Sequence, residues 1–242
     1  MLNCTKRKSD SMKEIEEQKI YARTELLISD GGMEKLKKSK ILIFGAGGVG
    51  GFAIEALARS GVGEIHVVDG DVVAESNLNR QIIADMDSIG KPKVECVRER
   101  VAKIAPFCQI ECSEHFFLPG DDCIDFTLAD YVIDAVDTVA AKIEIIRKSK
   151  EINKPIISCM GMGNKMDNGS IRIADISDTK VCPLAKVVRQ RLRALGINDV
   201  KVCYSVEPPI KTGSRIVGSI SYMPATAGLM IAGEVIRDIL AC

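Results

Sequence analysis

The chain has 242 residues, with Lys+Arg and Asp+Glu balanced at 33 each, which excludes a global basic field for nucleic acid while leaving local patches open. That length holds one large α/β domain with an ample core, or at most two small ones. Trp is absent and aromatics are 4%, so the core must be aliphatic, as in buried parallel sheets.

Taken in order, residues 1–12 read as a disordered tail, and MLNCTKRKSDSMKEIEEQ is too polar for a signal peptide. Residues 13–36 are helical and charged in pattern, and the break at Ser29-Asp30-Gly31-Gly32 predicts two short helices. Arg23 belongs to this arm, where a solvated helix charge is the ordinary role. An apolar run, Ile41 to Phe44 in sequence, then ends in Gly45-Ala46-Gly47-Gly48-Val49-Gly50. Apolar residues follow at helical spacing (Ala53, Ile54, Leu57, Ala58), and Ile65-His66-Val67-Val68 ends on Asp69. The pattern is strand, glycine turn, helix, parallel strand, with an acid at the second strand's tip. Such glycines let backbone approach a phosphate at a helix N-terminus, and a carboxylate about twenty residues on suits a ribose hydroxyl. The stretch therefore predicts nucleotide binding, with a tight turn without a ligand as the alternative.

A polar loop follows, ending Asn77-Leu78-Asn79-Arg80-Gln81, whose amides and guanidinium are costly unless exposed or bound to something polar. A helix begins near Pro92, carries Val94, Val97, Val101 and Ile104 inward and stops before Pro106. Lys93 falls in its first turn, where a cation opposes the dipole; it is either incidental or has an anion to hold. Residues 108–112 form a weakly signalled third strand. Residues 129–138 form a buried strand running into Asp134 and Asp137, at the edge where open α/β sheets bind ligands. Asp137, beside Thr138, is alternatively a cap for the next helix, at 140–152. Residues 154–159 make a further strand. Strands alternating with helices predict an α/β, Rossmann-like, doubly wound and mostly parallel sheet.

Beyond Met160 the pattern changes: a flexible turn at 161–165, a strand at 169–175, a helix at 183–195 with a basic face, a short strand at 202–206 and a mobile loop at 207–215. Residues 216–233 carry no charge, but three glycines, three Ser/Thr residues and Pro224 predict a buried strand plus helix over a membrane span. No repeat, low-complexity tract or linker divides residues 1–242, so a single domain is expected: tail 1–12, helical arm 13–38, nucleotide-binding core 40–159 and a C-terminal half 160–242. The nine cysteines, at 4, 96, 108, 112, 123, 159, 182, 203 and 242, include no CxxC pair and suit reduced thiols in a cytoplasmic protein.

GAGGVG, VVDGD, NLNRQ, GKPKVE and VIDAVDT, in that order, resemble the ThiF/HesA/MoeB adenylyltransferases of the ubiquitin-activating-enzyme superfamily. RTELLISDGGMEKLKKSK before them, and PLAKVVRQRLRALGI and GSISYMPATAGLMIAGEVIRDIL after them, resemble the tRNA threonylcarbamoyladenosine dehydratase branch. The resemblance implies an enzyme that uses Mg-ATP to adenylate the carboxylate of a threonylcarbamoyl group beside the tRNA anticodon and then closes it into a ring. The alternative it implies is adenylation of the C-terminus of a ubiquitin-like or sulfur-carrier protein.

Carried over by motif, Gly45, Gly47, Gly48 and Gly50 border the ATP, Asp69 meets the ribose and Asp71 follows it. Asn79, Arg80 and Lys93 meet the triphosphate, with Gln81 assisting, and Asp137 holds Mg2+. Arg23 resembles an arm arginine that reaches the partner's ATP in homodimeric relatives. No structural zinc is implied, because the paired CxxC motifs of sulfur-carrier activators are missing. Cys182 and Cys203 are placed as small buried hydrophobes rather than thioester formers. A tRNA substrate, bound by its anticodon loop, would rest on Lys186, Arg189, Arg193, Lys211 and Arg215. A homodimer, with a sulfur-relay protein as a further partner and no membrane, completes the expectation.

Overall fold

Four of the five residues of β1 (Lys40–Phe44) are buried, as a strand covered on both faces requires. The structure is a computed structural model that describes residues 16–241; the expected tail, the first residues of the arm, Cys4 and Cys242 lie outside the described residues. β1 pairs in parallel with β2 (Glu64–Val68) on one side and β4 (Tyr131–Asp134) on the other, so that Ile43 lies between Val67 and Ile133. Outside these stand β3 (Gln109–Ser113), β5 (Ile156–Cys159), β6 (Ile171–Asp175) and β7 (Lys201–Ser205). The order is β3-β2-β1-β4-β5-β7-β6, parallel except for β6. The doubly wound, mostly parallel sheet expected from the sequence is the one observed. Order reverses between β1 and β4, which opens a crevice at the strands' carboxyl ends.

Helices α1 (Glu17–Lys38), α2 (Gly50–Arg59), α3 (Lys93–Ile104) and α6 (Tyr222–Ala241) close one face with Leu36, Leu57, Val97 and Ile231. Helices α4 (Val139–Glu151) and α5 (Pro183–Ala194) close the other with Ile145, Ile146, Val188 and Leu192. Three stacked or tilted rings, Phe44, Phe117 and Phe126, fill the space under the β3 side of that second layer. α6 crosses the start of α2 at Gly228, where an added Cβ would stand 2.3 Å from the Val49 carbonyl oxygen. No larger residue permits that approach.

The expected break in the arm is present: α1 kinks at Ser29, which takes φ 63 and ψ 170. Strand β4 ends at Asp134, earlier than expected, so Asp137 stands on the loop beyond it. The buried strand expected at the start of 216–233 is not formed. Both edges of β7 are already taken by β5 and β6, and Ile216 and Val217 are 81% and 66% exposed. Asn164 satisfies that segment's backbone instead, accepting from Gly218 N at 2.6 Å and donating its own N–H to Gly218 O at 2.8 Å. Among the described residues no helix is long and apolar enough to cross a membrane.

Candidate active site

β1 ends where Gly45 takes φ 96, a conformation open to glycine and little else. Gly50 closes the turn so tightly that an added Cβ would lie 1.8 Å from the Gly45 carbonyl oxygen. Val49 begins α2 without a side-chain cap, so the helix N-terminus has its positive end turned to the crevice. Asp69, at the tip of β2, braces this turn: its carboxylate accepts from Ala46 N at 2.6 Å and from Asp71 N at 2.8 Å.

Around the turn lies a cleft of about 690 Å³, lined by Gly45, Gly47, Gly48, Asp69, Asp71, Arg80, Gln81, Lys93 and Asp137 among others. Lys93 is the first residue of α3 and only 6% exposed. Its ammonium meets Asp71 at 2.6 Å, and its N–H donates to Asp71 O at 2.9 Å. The sequence alternative of an incidental surface lysine is thereby set aside. Arg80 is half-buried, with Nη1 donating to Ser76 O at 2.7 Å and to Asn79 Oδ1 at 2.9 Å. Gln81 is buried, and its Oε1 is the one buried side-chain polar atom without a partner among the described residues. An orphaned acceptor at a cleft wall costs stability unless a ligand meets it.

Across the crevice, Asp134 and Asp137 separate in role. Asp134 is fully buried, accepting from Lys142 Nζ at 2.9 Å and from Ser158 Oγ at 2.5 Å. Asp137 is exposed at the cleft, where the Thr138 hydroxyl donates to it at 3.4 Å. It does not cap α4, whose N-cap is Thr138. Among the described residues no group of three or more His, Cys, Asp or Glu side chains gathers as a metal site.

Other expected residues lie elsewhere. Asn79 does not itself line the cleft: it donates to Ser219 O at 3.1 Å and accepts from Arg80 Nη1 at 2.9 Å, two residues that do, and Asn77 lines the wall beside them. Gly50 shapes the turn without lining the cleft, and Arg23 is exposed on α1, away from the cleft of its own chain. Lys186 and Arg193 are exposed on α5, as are Lys211 and Arg215 on the loop between β7 and α6. Arg189 is half-buried, and its Nη1 donates to Thr179 O at 2.9 Å and to Thr179 Oγ1 at 2.5 Å, bracing the turn before α5. Cys182 and Cys203 are buried, and a hydrogen bond with Cys159 together with burial raises the Cys203 thiol well above its ordinary range.

Sequence reading missed the loop after β3. His115, Phe116, Phe117 and Leu118 line the cleft, and the His115 imidazole pairs with Asp121, holding that carboxyl below its usual range. It also missed Lys142, although this lysine sits in the first turn of α4, the same unfavourable place for a cation that marked Lys93.

The ThiF family profile matches residues 21–242. The chain is 41% identical over 240 residues to the tRNA threonylcarbamoyladenosine dehydratase of Bacillus subtilis (strain 168), covering 91% of this chain and 94% of that one. It is 34% identical to tRNA threonylcarbamoyladenosine dehydratase 2 of Saccharomyces cerevisiae, over 75% of this chain but only 42% of that longer protein. Crystal structures of the E. coli dehydratase TcdA match at 30% identity over 93% of this chain and 95% of that one. The TM-score is 0.88 for its complex with AMP and 0.87 for its complex with ATP. The chain belongs to the ThiF family.

Proposed function

We propose that this ThiF-family chain is an ATP-dependent enzyme of tRNA modification: it adenylates the carboxylate of a threonylcarbamoyl group on a tRNA adenosine and dehydrates it to a cyclic form. The observation that carries the chemistry is the cleft, where a glycine turn, a helix N-terminus, Arg80 and Lys93 face the acids Asp69 and Asp137. Near-full-length similarity to named dehydratases supports the substrate, and the ATP complex of TcdA supports the nucleotide.

In the first step a carboxylate oxygen attacks the α-phosphorus and pyrophosphate leaves. Anion meets anion, so the barrier depends on fixed cations and N–H donors. Lys93, held by Asp71, and Arg80, held by Ser76 O, are preorganised for that load. Gln81 Oε1 is an acceptor awaiting a donor, and Asp69, already fixed by two backbone N–H groups, is set to take the ribose. In the second step a nucleophile of the carbamoyl group attacks the activated carbonyl and AMP leaves, so the net change is loss of water.

Asp137 fits Mg2+ in the manner usual for that ion, which takes one or two carboxylates and completes its shell with phosphate oxygens and water. When bound, the ion neutralises charge on the phosphates. A homodimer would bring Arg23 to the partner's cleft, and Leu26 and Leu27, 86% and 85% exposed beside it, offer that contact apolar surface. Lys186, Arg193, Lys211 and Arg215 form the anchor for the anticodon loop, in a protein that works on tRNA in the cytoplasm. The test is incubation with ATP and substrate tRNA, followed by digestion and mass analysis for loss of one water from threonylcarbamoyladenosine. Unaltered nucleoside would refute the reading.

A further inference from the structure

Two asparagines hold the strap of residues 206–221, which runs from the end of β7 to the start of α6 and puts Val217 and Ser219 on the cleft wall. Asn164, beyond β5, takes one side. Its N–H donates to Gly218 O at 2.8 Å, its Oδ1 accepts from Gly218 N at 2.6 Å, and its carbonyl accepts from Ile210 N at 2.7 Å. Val217 seats against Gly163 beside it, where an added Cβ would lie 2.2 Å from Val217 Cγ1. From the Arg80 side, among the described residues, a single hydrogen bond reaches the strap: Asn79 Nδ2 donates to Ser219 O at 3.1 Å.

The other end of the Asn79 amide is also taken. Its Oδ1 accepts from Arg80 Nη1 at 2.9 Å, and the same Nη1 donates to Ser76 O at 2.7 Å. Arg80 Nε and Nη2 meet no protein acceptor among the described residues, and Arg80 lines the cleft, so these donors are the ones left for an anion there. An asparagine amide has an acceptor end and a donor end that turn together. An anion on Arg80 fixes the guanidinium, the guanidinium fixes Asn79 Oδ1, and the donor end is then held toward Ser219 O. A charged donor on the amide oxygen also polarises the amide and strengthens its N–H donation. The strap so held carries exposed Lys211 and Arg215, both placed above in the tRNA anchor.

We infer that Asn79 is a positioning residue that transmits occupation of Arg80 by the ATP phosphates to the strap, so that ATP and tRNA bind with positive cooperativity. The inference rests on the dehydratase reading above for the identity of the second ligand. In this role Asn79 touches neither ligand. Binding that orders Arg80 and Asn79 leaves less to order when the strap is gripped. Linkage makes the effect reciprocal: tRNA tightens ATP by the factor by which ATP tightens tRNA.

The experiment reads hydrogen exchange of the full chain at the backbone N–H groups of Ile210 and Gly218, with and without saturating ATP. ATP should slow both by about fivefold, the low end of ordinary coupling between sites. Asn79 is exposed, so Asn79→Ala leaves the core intact, and at saturating ATP it should lose that response. A residue that only holds the strap in place would instead speed exchange by the same factor with and without ATP. In parallel, an ATP analogue with methylene between its α- and β-phosphorus should lower the wild-type Kd for substrate tRNA by about fivefold, and by less than about twofold in Asn79→Ala. Wild-type exchange indifferent to ATP, or an ATP response preserved in Asn79→Ala, would overturn the inference. In an enzyme that dehydrates tRNA, a tRNA Kd indifferent to the analogue would overturn it as well. If the wild-type protein dehydrates no tRNA yet shows the exchange response and its loss in Asn79→Ala, the functional reading fails and the link from Arg80 to the strap stands.

Discussion

Lys142 Nζ donates to Asp134 Oδ2 across 2.9 Å, and neither side chain is exposed to solvent. Asp134 Oδ1 in turn accepts from Val136 N at 3.2 Å, so the buried pair sets the loop that carries Asp137. The same loop presses on the glycine turn: the Ala135 carbonyl oxygen stands 2.8 Å from the Cβ that Gly45 lacks. A buried ion pair adds little net stability over an apolar pair of similar volume, whereas removing one partner leaves an uncompensated charge. Lys142→Met should therefore lower stability by about 3–5 kcal/mol, read by urea denaturation. The double variant Asp134→Leu, Lys142→Met should recover most of that loss. A single variant as stable as wild type would show that the pair does not bear on folding.

Lys93 and Asp137 should both act on the adenylation step. Removing one preorganised donor typically costs about 10²–10³ in rate. Lys93→Ala should lose about that much in ATP–pyrophosphate exchange with substrate tRNA present. Asp137→Asn should lower exchange far more than ATP affinity, because a cation matters most where phosphate charge develops. An Asp137→Asn protein with full exchange activity would remove that residue from the mechanism.

A homodimer with shared sites predicts complementation. Arg23→Ala and Lys93→Ala should each be inactive, and mixing them should restore part of the activity through hybrid dimers that hold one intact site. Sedimentation at micromolar concentration should give the mass of two chains. A monomer with full activity would count against the shared site.

For the tRNA anchor, the relevant pair is Lys186 and Arg193, since Arg189 is engaged with Thr179. Neutralising both should flatten the dependence of log Kd on log salt by about 0.7–0.9 for each phosphate no longer neutralised, with ATP affinity unchanged. Arg189→Ala should instead lower the melting temperature and leave the salt slope alone. If the slope moves only in Arg189→Ala, the assignment of the two groups is reversed.

Much of the fold was written locally. Alternating apolar runs and helical spacings announced the parallel sheet, and Gly45 to Gly50 with Asp69 announced the nucleotide turn, because backbone bonds a few residues apart enforce that geometry. The arm's break at Ser29 was legible for the same reason. Lys93 was flagged by an unfavourable position in its helix, and the structure supplied the anion it meets in Asp71.

What the sequence could not show is which distant side chains converge. Sheet order puts the Phe116 loop beside Asp69 and Met160 beside the glycine turn, through pairings between strands far apart in the chain. Asn79 and Arg189 have residue types suited to a ligand, yet each is taken by a protein carbonyl, Ser219 O and Thr179 O, that folding brings within 3.1 Å and 2.9 Å. Residues 216–220 looked like a strand from their apolarity but found both edges of β7 occupied. Sequence by itself determined the elements and the phosphate turn, whose energies are short-range. Only the tertiary structure decided which polar groups remain open to a ligand, because that depends on long-range burial and on which partner reaches each group.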